Sequence, residues 1–484
     1  MKRSSCIIAF AILIHTANAQ TKIRSWISST ATASWQTEKI MSSGVGKPDA
    51  EIDLTHPLQT IDGFGTCFNE LGWTSLSLLS AQDREKIFRE LYAPAVGAGF
   101  TICRMPVGAN DFSRNWYSYD ERDGDFSLVG FTIANDKQTL IPFIKSALKY
   151  NPKLQLWASP WSPPTWMKTN KHYAMQPFPK MDLPKEAEEK WGMSFKGRDN
   201  GLLPGQEGVE GRDHFIQREN YFKAYALYFR KFIEAYRKEG IRIGMVMPQN
   251  EFNSAQVFPS CTWTAAGLAK FVSYLGPEMK QIGVDVFFGT MERPNAKLVD
   301  TVLNDPQSGP WIKGVGFQWA GKDAIASIHE RYPALKLIQS EQECGNGKND
   351  WDYCKYTWGL MKHYLGNGAS AYMYWNTSLK DGGISTWGWK QNSLISVDTV
   401  KHTFKYNYEY YLMKHLSHFV KPGAKRLTVN GAFSNLLAFV NPDKSVVIVA
   451  QNESDDERIV SFKVGKDVFG IRLKGDSFNT LVIK

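Results

Sequence analysis

Eight short apolar runs, each ending in polar or glycine residues, recur between Thr60 and Thr377. They are Thr60–Phe68, Phe100–Gly108, Leu154–Trp161, Ile241–Asn250, Val284–Met291, Ile312–Ala320, Leu335–Glu343 and Ser370–Thr377. Amphipathic stretches separate them, among them Ser80–Leu91, Thr139–Tyr150, Tyr221–Glu239, Ala265–Ile282, Asp323–Glu330 and Tyr353–Leu365. Strands alternating with helices predict parallel βαβ units. Eight such units close into a (β/α)8 TIM barrel of the α/β class. The runs are nearly continuous in hydrophobicity, as strands covered on both faces should be. Residues 168–215, rich in Lys, Pro, Gly and Glu, read as a long loop at the barrel's C-terminal face, where loops build a substrate cleft.

Beyond about residue 418 the pattern changes. Lys425–Val429, Leu436–Val440, Ser445–Gln451, Glu457–Val464 and Ser477–Ile483 read as short strands between Asn, Asp, Gly and Lys turns. Several alternate as a half-buried antiparallel sheet does, which predicts a small β-sandwich. Arg24–Leu54 also holds strand-like pieces, including Ala31–Gln36, expected to join that sandwich from the other end of the chain. The predicted organisation is a leader at 1–19, N-terminal sandwich strands at 20–54, a catalytic barrel at 55–417 and the C-terminal sandwich at 418–484.

The leader rests on three features. Lys2 and Arg3 form a charged start, Cys6–Ile14 is apolar, and Ala17-Asn18-Ala19 fits a small-x-small cleavage site that leaves Gln20 first. The apolar stretch is too short for a stable membrane span. Export to the periplasm or the extracellular space is the expectation. Losing Lys2 and Arg3 takes the formal charge from +9 to +7. That is mild for 484 residues, and with no long Lys/Arg run it argues against a nucleic-acid partner. Five cysteines remain, at 67, 103, 261, 344 and 354; none has metal-ligand spacing, and Cys344–Cys354 is the nearest pair for a disulfide.

In a barrel, residues at the C-terminal end of each strand point into the mouth. Run four ends Met247-Pro248-Gln249-Asn250-Glu251 and run seven reaches Gln339-Ser340-Glu341. Run two leads to Asn110-Asp111, run three to Trp161, run six to Gln318-Trp319 and run eight to Trp375-Asn376. Two carboxylates, three indoles and several amides therefore converge on one opening. Glycoside cleavage needs that set: one protonated carboxyl to protonate the leaving oxygen, one ionised carboxylate to attack the anomeric carbon. Flat indoles suit the C–H faces of pyranoses, and an amide such as Asn250 suits a sugar 2-OH. Glu251 is the candidate acid/base and Glu341 the candidate nucleophile. Glu343, two residues on, faces the same side of an extended strand. Glu341 is preferred because the apolar strand ends just before it, and Glu343 stands as the alternative. Each residue alone is weak evidence; a glutamate near a strand end is more often solvated than catalytic.

These motifs resemble glycoside hydrolase family 30, the family of glucosylceramidases and β-1,6-glucanases. Gln59-Thr60-Ile61-Asp62-Gly63-Phe64-Gly65 is similar to its first-strand signature, and Ser159-Pro160-Trp161-Ser162-Pro163-Pro164-Thr165-Trp166-Met167-Lys168 to its third. Pro248-Gln249-Asn250-Glu251 resembles the acid/base strand, and Ile338-Gln339-Ser340-Glu341 the nucleophile strand. The resemblance implies a retaining mechanism on β-linked sugars without metal or organic cofactor. It also implies that Asp111, Trp161 and Trp375 bind the glucose before the cleaved bond, with Asn250, Gln318 and Trp319 as further contacts. Phe317-Gln318-Trp319-Ala320-Gly321-Lys322 looks like the β-1,6-glucanase branch, because the lipid-hydrolysing branch carries His-Trp-Tyr there. The favoured expectation is a monomeric endo-β-1,6-glucanase acting on β-1,6-glucan. The alternatives are an exo-acting β-glucosidase or glucosylceramidase, and, ranked last, an inactive carbohydrate-binding protein.

Overall fold

The computed structural model describes residues 22–39, 47–179 and 183–484, so the expected leader and its cleavage site lie outside the described residues. Among the described residues, eight parallel strands follow one another around a barrel. In chain order they are Gly63–Cys67, Ile102–Pro106, Gln155–Ser159, Met245–Val246, Asp285–Met291, Ile312–Phe317, Lys336–Gln339 and Ala371–Asn376, referred to below as strands one to eight. Strand eight pairs with strand one. The ring closes where Ser370 N–H donates to the Leu337 carbonyl at 2.8 Å. Strand one can approach strand two only because Gly65 has no side chain: a Cβ there would lie 1.6 Å from the Ile102 carbonyl oxygen.

Each expected run contains one strand; six runs overshoot at both ends, Val284–Met291 only at its start and Ile312–Ala320 only at its end. Strand four is the extreme case, two residues long where Ile241–Asn250 was expected. Pro248 has no N–H to give the ladder, and the chain turns there into the site. The amphipathic stretches form helices Ala81–Tyr92, Leu140–Tyr150, Glu219–Lys238, Ala265–Gln281 and Trp351–Gly366. In Glu219–Lys238, buried Phe222, Tyr225, Phe229, Phe232 and Tyr236 recur every three or four residues and form the barrel-facing stripe. Thr264 caps the next helix by accepting from Gly267 N–H at 2.8 Å. Asp323–Glu330 differs from expectation: its start continues a 3-10 turn from Trp319 to Ala324, and the helix proper is Ile325–Arg331.

The second unit is a sandwich fed from both chain ends. Among the described residues its strands run Asp467–Leu473, Arg458–Val464, Ala50–Asp53, Lys425–Gly431, Leu436–Val440, Val446–Asn452, Ser477–Ile483, Ile23–Ser29 and Gln36–Thr37. All neighbours are antiparallel except Ala50–Asp53 against Arg458–Val464. Lys425–Gly431 joins the two layers, pairing through residues 425–427 with Leu436–Val440 and through 428–431 with Ala50–Asp53. Ala31–Gln36, expected as a strand, is instead mostly a turn. Thr30 and Ala33 exchange backbone hydrogen bonds, and the Thr30 hydroxyl accepts from Ala33 N–H at 3.1 Å. Local hydroxyls there satisfy the backbone that a ladder would otherwise use. Sandwich and barrel meet at buried His415, whose ring nitrogens lie 2.8 Å from the hydroxyls of Ser29 and Thr480. The Cys344–Cys354 disulfide is absent; all five described cysteines are buried free thiols.

Candidate active site

One buried arginine organises the mouth of the barrel. Arg104 stands on strand two, fully shielded from solvent. One terminal nitrogen donates to Glu341 Oε2 at 2.6 Å and to the Ser340 carbonyl at 3.2 Å. The other donates to Asn250 Oδ1 at 2.7 Å and Ser159 Oγ at 2.9 Å. The fork thus ties the ends of strands three, four and seven together, a geometry a point-charge ammonium could not match. Sequence reading missed this residue. Its signal was present, since Arg104 is the only charged side chain in the apolar run Phe100–Gly108.

Glu251 and Glu341 face the same space and share a donor. Gln318 Nε2 lies 3.0 Å from Glu251 Oε1 and 3.2 Å from Glu341 Oε2. Those two oxygens can therefore be no farther apart than two hydrogen bonds laid end to end, about 6 Å. The orientation of the Gln318 amide is set by its neighbours: its oxygen accepts from the Arg104 guanidinium, which can only donate, at 3.4 Å, and its NH2 faces the two carboxyls. Asn250 is equally fixed: its oxygen accepts from Arg104, Gln318 and Thr290, which leaves its NH2 for a ligand. Two residues here hold left-handed backbone, Glu251 at φ +44° and Trp319 at φ +47°. Such conformations cost about 1–3 kcal/mol each in non-glycine residues and persist only where surroundings impose them. For Glu251 the constraint includes its N–H donating to Thr290 Oγ1 at 2.8 Å.

Both carboxyls are raised, but only Glu341 has a positive neighbour that opposes the rise. Burial pushes the Glu251 carboxyl well above its usual range, and the nearby charges of Glu292, Glu341 and Asp111 add to that. Burial also raises Glu341, but the Arg104 guanidinium opposes it, helped by hydrogen bonds from Gln318 and Trp319. The proton therefore belongs on Glu251 and the negative charge on Glu341. Asp111 is raised by burial and by the Glu341 charge, and its Oδ1 has no partner among the described residues.

Trp161 and Trp375 are buried side by side, with ring centroids 5.2 Å apart and 28° between planes. Arg104 lies 4.4 Å from the first ring and 5.5 Å from the second. The buried indole N–H of Trp375 is likewise unpartnered among the described residues. A sugar's hydroxyls would satisfy both it and Asp111. Trp319 is half-buried beside Glu341 and tilts against Trp389, a rim residue that sequence reading did not select, at 6.2 Å. All eight residues expected from sequence thus gather at one opening. Glu343 does not: its carboxylate pairs with Lys322 at 2.8 Å and with the Tyr356 hydroxyl. Among the described residues no group of His, Cys, Asp and Glu is assembled to hold a metal ion.

The family model for the glycosyl hydrolase family 30 TIM-barrel domain matches residues 61–178 and 199–420, and that for the family's beta sandwich domain matches 423–481. The chain belongs to glycosyl hydrolase family 30. This family 30 glycoside hydrolase is 29% identical over 430 residues to putative glucosylceramidase 1 of Caenorhabditis elegans, covering 83% of this chain and 75% of that one. It is 27% identical over 449 residues to an endo-1,6-beta-D-glucanase of Aspergillus fumigatus, covering 84% and 83%. A solved endo-beta1,6-glucanase shares its fold, with TM-score 0.78 at 23% identity, over 95% of this chain and 99% of that one. The stretch that the barrel model leaves unmatched includes helix Lys185–Trp191 and, just past it, Met193, which bridges to Trp389.

Proposed function

We propose that this family 30 hydrolase cleaves β-glucosidic bonds with retention, using Glu341 as nucleophile and Glu251 as acid/base. The single observation that carries the reading is the Gln318 amide held between two buried carboxyls, of which only Glu341 has a guanidinium partner. Their close approach suits the roughly 5–5.5 Å of retaining enzymes better than the 6.5–9.5 Å that admits a water in inverting ones. In the first step Glu341 attacks the anomeric carbon while Glu251 gives its proton to the departing glycosidic oxygen. A glycosyl ester on Glu341 remains, and Glu251 is left as the carboxylate. Glu251 then takes a proton from water, whose oxygen displaces Glu341 and restores the starting state. Asp111, Asn250, Trp161 and Trp375 hold the sugar before the cleaved bond, and Trp319 meets the departing side.

The proposed substrate is β-1,6-glucan, attacked internally by a monomeric, exported enzyme. In support, Phe317-Gln318-Trp319-Ala320-Gly321-Lys322 resembles the β-1,6-glucanase branch of the family, and one relative is an endo-1,6-beta-D-glucanase. Similarity to proteins called glucosylceramidases favours a second reading, exo-acting release of glucose from a glucoside or glucosylceramide. Product analysis separates them: a ladder of β-1,6-linked oligosaccharides from soluble β-1,6-glucan supports the first, and glucose alone from glucan or glucosylceramide supports the second. Glu341→Gln should abolish turnover while binding persists. Glu251→Gln should slow substrates with poor leaving groups far more than activated aryl glucosides. Near-normal turnover by Glu341→Gln alongside an inactive Glu343→Gln would refute the assignment.

A further inference from the structure

Glu292 follows strand five directly, on the barrel wall next to Glu251. It is largely buried, which raises its carboxyl, and one oxygen pairs with Arg293, whose guanidinium opposes that rise and favours the charged form. Its Oε2 is buried with no partner among the described residues. Arg293 is anchored in turn by Glu210, whose carboxylate takes Nε at 3.0 Å and Nη2 at 3.0 Å. The same wall holds the acid/base, because Thr290, two residues before Glu292, accepts from Glu251 N–H at 2.8 Å through its Oγ1. Gln256 Nε2 donates to Ser254 Oγ at 2.6 Å and lies 3.5 Å from Glu251 Oε2. We propose that Glu292 is a positioning residue whose fixed negative charge, kept in place by Arg293, governs the proton on Glu251 throughout the catalytic cycle.

The charged groups facing Glu251 are Glu292 from strand five, Glu341 from strand seven and Asp111 from the loop after strand two. Arg104 is spent on Glu341. The Glu341 charge disappears whenever that residue carries a sugar, so its hold on the proton alternates. Glu292 touches no reacting atom, and its charge persists in both halves of the cycle. A constant neighbour keeps Glu251 protonated for the first step and still basic enough to take a proton from water in the second. This inference rests on Glu251 being the acid/base.

The test is the pH profile of Glu292→Gln, with Glu292→Asp as the conservative control. On soluble β-1,6-glucan, or on an aryl β-glucoside if the glucan is not cleaved, the alkaline limb of kcat/KM should move to lower pH by about half to one unit. That is roughly a three- to tenfold loss of kcat/KM on the alkaline side, because each pH unit along the limb is tenfold in the active fraction. Activity on the acidic side should stay within about threefold, and Glu292→Asp should restore most of the limb. An unmoved limb in a folded, active Glu292→Gln overturns the proposal while the roles of Glu251 and Glu341 stand. A uniform loss at all pH values, with the limb in place, assigns Glu292 a structural role and also overturns it. Full activity of Glu251→Gln on the unactivated substrate defeats the underlying reading instead.

Discussion

Replacing Arg104 by Gln keeps an amide donor, on a side chain two bonds shorter, and removes the charge beside Glu341. The parent contact is a 2.6 Å ion pair, buried on both sides. Breaking such a pair by deleting one partner costs about 3–5 kcal/mol, because the other charge is stranded. A carboxylate beside an arginine has its pKa lowered by roughly 1–3 units. Without Arg104 the Glu341 carboxyl rises by that amount, and the ionised nucleophile is depleted as pH falls. The acidic limb of kcat/KM should therefore move upward by about 1–3 pH units, a loss of about 10- to 1,000-fold on the acidic side that shrinks as pH rises. Arg104→Lys keeps the charge but not the fork to Asn250 and Ser159, so it should shift the limb less while still lowering kcat. The assay is a pH–rate profile on an aryl β-glucoside, with circular dichroism and urea unfolding to confirm the fold. An acidic limb in folded Arg104→Gln that overlays the parent's would refute the electrostatic assignment of Glu341.

Asp111→Asn should cut kcat/KM about two- to tenfold with little change in melting temperature, as expected for losing a neutral hydrogen bond to a sugar hydroxyl of about 0.5–1.5 kcal/mol; kinetics with calorimetry checks this. Burial lowers His415 from 6.5 to about 3, so the folded state prefers the neutral ring. Its contribution to stability is present above about 6.5 and is lost as pH falls toward about 3; His415→Gln should flatten the urea midpoint against pH in that window. The five described cysteines are buried and unpaired, so a thiol reagent should label them only after denaturation, and reductant should leave the melting temperature unchanged.

Much of the barrel was legible because its strands are covered by long amphipathic helices, and the same run ends put Glu251 and Glu341 at the mouth. Legibility failed where local chemistry overrides pattern. Short helices such as Glu70–Leu76 and Lys297–Leu303 are too brief to show a face. Asp467–Leu473 was not selected as a strand, and Gly470 at its centre weakens its signature. Arg104 was passed over because an isolated charge gains meaning only from what converges on it. Glu341 and Glu343 both lie past the end of strand seven, where alternation does not apply, and Lys322 and Tyr356, from other elements, draw the second away.

The sandwich strand Ser477–Ile483 lies between Ile23–Ser29 and Val446–Asn452. A ribosome must therefore release the barrel and most of the sandwich before that early strand gains this neighbour. Until then, Trp26 and the other apolar side chains of the early strand await a partner still being synthesised. Truncation just before Ser477 would strip the edges of two strands at once and take Thr480 from His415 at the seam with the barrel. A lesion more than a hundred residues beyond Glu341 would then act as a failure of maturation, with the catalytic groups themselves untouched.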